Sequence, residues 1–423
     1  MECEQYGFDT LQLHAGQTPD AQTGARAVPI YQSSSFCYGS AEECAGVFSG
    51  ERPGYTYTRI INPTVEVLEK RLAALEQGAG CVCFASGMAA IMACVAALCR
   101  PGDEIVTMSA LYGGTYTLFA QRMKDILGVT ARFVDADRLE ELESAINART
   151  RLVYIETIGN PSIVIPDIRA VASVAHRHGL PLAADNTFGT PYLITVKDHG
   201  VDISIHSLTK YIGGHGNAIG GAVVDMGTFN YRNPRFPHFT IPDKTNHGTV
   251  YADLDAPLAR LLRAQLIRDF GACLSPFDAF LFLNGLETLS LRVERHVRNT
   301  LQIAAFLQNH PRVAYVNYPG LETDAYHARA LQYFPRGAGA ILAFGVKGGL
   351  EEGRRFLNRV KLFSIVANVA DAKSLVIHPA SSTHGQLSDA ERAEAGVKPE
   401  MIRVSVGLED IKDLIADLDR ALS

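Results

Sequence analysis

The chain has 423 residues, of which 47% are hydrophobic, 20% charged and 8% aromatic, a globular composition that excludes disorder, collagen-like repeats and coiled coil. Its net charge of −6 lacks the basic footprint of a general nucleic-acid binder, so no nucleic-acid partner is expected. The eight cysteines are too sparse for a disulfide scaffold and form no C-x-x-C pair, which predicts reduced thiols in the cytoplasm.

The start, MECEQYGFDTLQLHAG, carries acids where a signal peptide has bases and lacks an apolar core segment. Residues 1–63, rich in Gln, Ser, Thr, Gly, Pro and Tyr, read as an extended arm. From residue 64 apolar runs alternate with helix-period segments. The predicted strands are Gly80–Ala85, Glu104–Met108, Thr130–Val134, Leu152–Glu156, Leu182–Asp185, Asp202–His206 and Ala218–Val224. The predicted helices between them are Thr64–Glu76, Ala89–Leu98, Tyr116–Ile126, Leu139–Ile146 and Ile168–His178. Short, wholly apolar strands alternating with helices predict an α/β fold: a mostly parallel, doubly wound sheet covered on both faces. The uncharged run from Cys81 to Cys99 is long enough to span a bilayer. Its Ser86-Gly87 interruption and many alanines predict a buried strand, turn and helix instead, so no membrane partner is expected. Residues 226–275 form a second irregular stretch, of the kind used for functional loops or subunit contacts. Asp278 through Leu307 reads as one long helix, followed by mixed strands and helices. The predicted organisation is an arm (1–63), a first domain (64–274) and a smaller α+β C-terminal domain (275–423).

In an open parallel sheet, ligands bind beyond the carboxyl ends of the strands. Ser86-Gly87-Met88 follows the first strand and opens an alanine-rich helix, where backbone amides can meet an anion. Asp185, in Asp185-Asn186-Thr187, ends another strand and is either a cap or the partner of a buried cation. Ser207-Leu208-Thr209-Lys210 ends a third and runs into the glycine-rich Tyr211-Ile212-Gly213-Gly214-His215-Gly216. A lysine there is usually a solvated loop residue, but one flanked by hydroxyls in a pocket that lowers its pKa can form a Schiff base. An anion cradle, an amine and a carboxylate together suggest pyridoxal 5'-phosphate (PLP). Rival motifs fail. Ser207-Leu208-Thr209-Lys210 fits the S-x-x-K of serine acyl-hydrolases, but S-D-N and K-T-G are missing. Gly214-His215-Gly216 precedes a strand and lacks a third glycine. No metal-ligating pattern occurs. His176 and His178 read as surface residues on one helix.

Over nearly its whole length the sequence resembles the Cys/Met-metabolism group of PLP-dependent enzymes. The resembling stretches are Tyr57-Thr58-Arg59-Ile60-Ile61-Asn62-Pro63-Thr64, Ser86-Gly87-Met88, Tyr112-Gly113-Gly114-Thr115, Glu156 with Asn160-Pro161, and Asp185-Asn186-Thr187-Phe188. Ser207-Leu208-Thr209-Lys210-Tyr211, His378-Pro379-Ala380-Ser381 and Ile402-Arg403-Val404-Ser405-Val406-Gly407 complete the set. The resemblance implies the type I PLP-transferase fold, with Lys210 as the Schiff-base lysine and proton shuttle. It implies Asp185 on the ring nitrogen, Tyr112 stacked on the ring near the leaving group, and Gly87, Met88, Thr187, Ser207 and Thr209 around the cofactor and its phosphate. Tyr57 and Arg59 would reach a neighbouring subunit's phosphate, which implies a homo-oligomer, at least a dimer and usually a tetramer. Arg403, helped by Asn160, would clamp the substrate carboxylate, with Asn368 and Tyr57 also on the substrate side.

Within the group, several features are similar to the O-acetylhomoserine sulfhydrylase branch. They are His14-Ala15-Gly16-Gln17 through Pro29-Ile30-Tyr31, the insert around His238-Phe239-Thr240 and Asn246-His247-Gly248, Glu287-Thr288, Asn368, and Gly114 where methionine γ-lyases carry cysteine. The resemblance implies exchange of the γ-acetoxy group of O-acetyl-L-homoserine for sulfide, giving homocysteine and acetate. Two stretches depart from the branch: Asn368-Val369-Ala370-Asp371, where it carries Asn-Ile-Gly-Asp, and Asn246-His247-Gly248, where it carries Tyr-His-Gly. Both bear on which acyl group is preferred. Cystathionine γ-synthase, O-succinylhomoserine sulfhydrylase and methionine γ-lyase stand as alternatives. A non-catalytic binding protein of the same fold is the alternative of a different class.

Overall fold

A computed structural model describes residues 6–382, 385, 392 and 396–423. Residues 1–5 of the predicted arm lie outside the described residues. Two sheets organise the chain. The first contains β1 (Gly80–Phe84), β2 (Glu104–Met108), β3 (Thr130–Val134), β4 (Thr150–Glu156), β5 (Leu182–Asp185), β6 (Ile203–Ser207) and β7 (Gly221–Asp225), in the order β1-β7-β6-β5-β4-β2-β3. Only β7 runs against its neighbours; the other adjacent pairs are parallel. The second contains β8 (Val313–Asn317), β9 (Ile341–Val346), β10 (Ser364–Ile365), β11 (Leu375–Ile377) and β12 (Met401–Ser405), in the order β10-β11-β12-β9-β8.

Except at the edge strand β3, where Thr130 and Arg132 are exposed, both faces of the first sheet are buried, which is why its strands read as apolar runs rather than alternating ones. In β1, Cys81 and Cys83 enter one core while Val82 and Phe84 enter the other. The run from Cys81 to Cys99 is therefore β1 plus the helix Gly87–Leu98. Among the described residues no helix is long and apolar enough to cross a membrane. That helix starts where the Ser86 side chain accepts from the Ala89 amide, as an N-cap should. The same device starts Pro63–Leu75 at Asn62 and Ile168–Arg177 at Asp167.

Three departures from the sequence expectations have physical causes. The predicted helix Asp278–Leu307 is two, Pro276–Leu286 and Leu289–Gln308. Arg292 of the second reaches back with its buried guanidinium to the carbonyls of Gly285 (2.6 Å), Tyr211 (2.7 Å) and Ile212 (3.3 Å). It thereby satisfies the end of the first helix and the turn that follows Lys210. The last strand of the first sheet begins at Gly221 rather than Ala218, because Gly220 bonds the Lys210 turn instead: its amide donates to Thr209 Oγ1 (3.1 Å) and its carbonyl accepts from Leu208 (2.9 Å). Residues 226–275 are less irregular than expected: Pro257–Leu261 and Leu262–Phe270 are helical. Tyr231, Phe236, Phe239 and Tyr251 are fully buried in the second core, with Tyr231 stacked on Phe239 at 4.1 Å.

The segment read as an extended arm is not extended throughout: Phe8–His14 and Ala41–Ser49 are helices. Between Gly16 and Ile61 only Gly46 is buried, and Ile30, Tyr31, Phe48 and Tyr57 expose 37–59% of their surface.

Candidate active site

The carboxyl ends of β1, β4, β5 and β6, and the loop after β2, open onto a cavity of about 330 Å³. Its other wall comes from β12 of the second sheet and the loop between β10 and β11. Ser86, Gly87, Met88, Tyr112, Glu156, Asn160, Asp185, Thr187, Ser207, Thr209, Lys210, Asn368 and Arg403 all line it. Every residue predicted for the site from within one chain is therefore in one place, at the edge the topology rule indicates. Tyr57 and Arg59 are outside the lining. The Arg59 guanidinium lies 5.3 Å from the centre of the Tyr57 ring and donates to the Arg268 carbonyl.

Lys210 follows β6 in a turn fixed by its own backbone: its amide donates to Ser207 (3.2 Å) and its carbonyl accepts from Gly214 (2.7 Å). The Nζ donates to Asn368 Oδ1 at 2.5 Å. Burial lowers the Lys210 amine to about 8, and the positive charge of Arg403 pushes in the same direction. Asp185 accepts from the Thr187 amide (3.0 Å) and from the Tyr154 hydroxyl at a longer 3.4 Å. Thr187 Oγ1 in turn accepts from the Ser207 amide (2.8 Å), so one side chain joins the ends of β5 and β6. Burial raises the Asp185 carboxyl, and the Thr187 hydrogen bonds oppose the rise.

Arg403 is only 5% exposed. It donates through Nη1 to Asn160 Oδ1 (3.0 Å) and through Nη2 to the Asn368 carbonyl (3.2 Å). Burial lowers it to about 10, which leaves it charged at neutral pH. Asn368 belongs to a loop held by Ser405, whose Oγ accepts from the Ala370 amide at 2.7 Å. Ala370 has φ +61° and is buried, a left-handed backbone that costs alanine about 1 kcal/mol relative to glycine. Tyr112 precedes the helix Gly113–Thr117 and is 48% exposed. A Cβ on Gly114 would stand 2.6 Å from the Tyr112 ring, so the absence of a side chain there lets the ring lie close.

Glu156 had no role in the sequence reading. Its carboxylate accepts from the Tyr112 amide at 2.7 Å and from the Asn160 amide. A usable signal existed, since it is the last residue of an apolar strand and Asp185 ends the next.

The donor set fits PLP. A Cβ on Gly87 would stand 2.8 Å from Ser207 Cβ, so any side chain here would push the helix start away from the end of β6. The Gly87 and Met88 amides, in the first turn of their helix, have no hydrogen-bond partner among the described residues. Two hydroxyls, Ser207 and Thr209, stand beside them in the lining, which makes an anion cradle. Lys210 supplies an amine of lowered basicity, and Asp185 a carboxylate for a ring cation.

Comparison with known proteins agrees. A family model described as Cys/Met metabolism PLP-dependent enzyme matches residues 9–423. The homocysteine synthase of Schizosaccharomyces pombe is 48% identical, over 100% of this chain and 99% of that protein. The O-acetyl-L-homoserine sulfhydrylase of Leptospira meyeri is 46% identical, over 98% of this chain and 96% of its own length. A Campylobacter jejuni crystal structure containing a pyridoxyl-lysine phosphate superposes with a TM-score of 0.95 at 40% identity, covering 99% of this chain and all of that one. With that cavity and these matches, the chain belongs to the PLP-dependent enzymes of Cys/Met metabolism and has their α/β type I fold.

Proposed function

We infer that this enzyme replaces the γ-acetoxy group of O-acetyl-L-homoserine with sulfide, forming L-homocysteine and acetate. One observation carries the reading: the Lys210 amine, the Asp185 carboxylate and the Arg403 guanidinium converge on a single cavity. Full-length similarity to proteins named for this activity supports it.

PLP, when bound, supplies an aldehyde for the substrate amine and a ring that withdraws electrons from the adjacent carbon. Lys210 would hold it, Asp185 would face its ring nitrogen, Tyr112 would cover the ring, and Thr187, Ser207, Thr209 and the Gly87 and Met88 amides would surround its phosphate side. The chain's own part in the reaction follows from geometry. Arg403, already aimed by Asn160, takes the substrate carboxylate bidentately. That fixes the substrate's Cα and Cβ hydrogens toward Lys210. The amine, lowered to about 8, is close to the basicity that suits a group accepting and returning protons near neutral pH. It would take the Cα proton and, once it has handed that proton on and is neutral again, one from Cβ. Acetate departs from Cγ with the bonding electrons, hydrosulfide forms the C–S bond there, and the protons return to Cβ and Cα. Asn368 and Tyr57 complete the substrate side.

The same reading treats residues 1–63 as an arm, 64–274 as the PLP-binding domain and 275–423 as the C-terminal domain. It makes the working unit a homo-oligomer, a dimer or tetramer. Among the described lining residues the only cations are Lys210 and Arg403, both committed elsewhere, whereas a phosphate dianion calls for a cationic partner. Tyr57 and Arg59, on an arm with little buried surface of its own, would supply that partner to the cavity of a second copy. Seven cysteines are described and all are free thiols, which supports a cytoplasmic location.

The test offers O-acetylhomoserine and O-succinylhomoserine, each with sulfide or with cysteine, and identifies products by mass. Homocysteine from the acetyl ester and sulfide is the expected result. Cystathionine from cysteine as the dominant product, or 2-oxobutanoate without added sulfide, would overturn it.

A further inference from the structure

Glu156 is the one carboxylate in the cavity that the mechanism leaves without a task. It ends β4, and Asp185, its register partner, ends the adjacent parallel strand β5. Side chains at paired positions of parallel strands point to the same face, so two carboxyl groups stand side by side at the cavity floor. Two such groups in one desolvated site do not both ionise. The ionised member is the better-supported one. Asp185 takes hydrogen bonds from the amide and side chain of Thr187 and from Tyr154. The positive groups on the cavity walls, Lys210 and Arg403, are turned to Asn368 and Asn160. Glu156 is raised well above the usual carboxylate range by burial and by the neighbouring Asp185, against two opposing backbone amides.

Those two amides belong to Tyr112 and Asn160. Tyr112 begins the helix Gly113–Thr117 and carries the ring over the cavity, and Asn160 aims Arg403. A single carboxyl group thus joins the residue over the ring to the clamp for the substrate carboxylate.

We propose that Glu156 is a positioning residue: it holds the proton that Asp185 lacks and, as a neutral acid, fastens Tyr112 and the Asn160–Arg403 pair around the reacting centre. The proposal rests on the roles given above to Asp185, Tyr112 and Arg403.

The experiment uses the holoenzyme in three forms: wild type, E156Q and E156A. Gln keeps the accepting oxygen and the neutral charge, whereas Ala removes both fastenings. E156A is expected to raise KM for the amino-acid substrate about tenfold or more, and E156Q to restore it to within about threefold, since small misplacements carry such costs. The infrared difference spectrum of wild type minus E156Q at neutral pH should show the carbonyl band of a protonated carboxylic acid. The pH titration of the bound cofactor's absorbance should coincide in the two proteins. An ionised-carboxylate band in place of that carbonyl, or a shifted titration in E156Q, would overturn the neutral acid. An unchanged KM in E156A would overturn the fastening, and if E156A fails to fold, the E156Q measurements decide. The D185N holoenzyme separates the underlying reading: an unaltered cofactor spectrum there would remove Asp185 from the ring, whatever Glu156 does.

Discussion

At Lys210 two effects act on one amine in the same direction. Desolvation disfavours the ammonium form, and Arg403 adds like-charge repulsion, which brings the group from 10.5 to about 8. At neutral pH the reactive, uncharged fraction is then roughly 300 times that of an ordinary lysine. The sign is clear: a lowered lysine is neutral above its pKa and loses reactivity as pH falls below it. Stopped-flow capture of PLP by the cofactor-free protein should therefore slow about tenfold per pH unit below about 8 and level off above it. Because Arg403 is one of the two causes, R403Q should move this limb to higher pH, besides raising KM for the amino acid. A limb at the position of a free lysine would contradict the burial argument. K210A should lose turnover and keep its far-ultraviolet circular dichroism.

At the scale of elements, the approach of the helix Gly87–Leu98 to the end of β6 decides whether an anion can be held. A methyl group on Gly87 would meet Ser207 at 2.8 Å from its Cβ and 3.0 Å from its Cα. The Cα is backbone, so the helix start must withdraw and take its two amides with it. G87A should fold normally and weaken PLP binding roughly tenfold or more, about 1.4 kcal/mol, as read by absorbance titration of the cofactor-free protein. This contact also shows which parts of the site a sequence can disclose. Strands β2, β3 and β5 have the predicted bounds, because short, mainly apolar runs between turn residues have few other ways to fold. Gly87, Asp185 and Lys210 were legible since each sits just past such a run, where the topology rule looks. Arg403, Asn160 and Asn368 carry no local pattern. They meet across 35 to 243 residues of chain, and only the family resemblance named them. The split of Pro276–Leu286 from Leu289–Gln308 was invisible for a related reason. The helical period continues across it, while its cause is the buried Arg292 and a tertiary contact in which a Cβ on Gly285 would stand 2.4 Å from the Ile212 carbonyl. Glu156 was seen as part of a motif, but its task depends on the register of β4 with β5.

At the scale of the whole molecule, the cavity and the arm have complementary deficits. The cavity brings amides and hydroxyls to the ends of β1 and β6 but no free cation among the described residues. The arm exposes apolar side chains and carries Tyr57 and Arg59 away from its own cavity. If one copy's Arg59 serves the next copy's cofactor, a site needs Lys210 from one chain and Arg59 from another. Complementation tests this directly. K210A and R59A should each be nearly inactive alone. Denatured together in equal amounts and refolded, they should regain up to about a quarter of wild-type specific activity. In the random mixture half of the dimers are hybrids, and each hybrid has one site with both residues intact and one with neither. No recovery in a mixture shown by mass spectrometry to contain hybrids would mean that Arg59 acts within its own chain, and the arm would then need another reason for its exposed face.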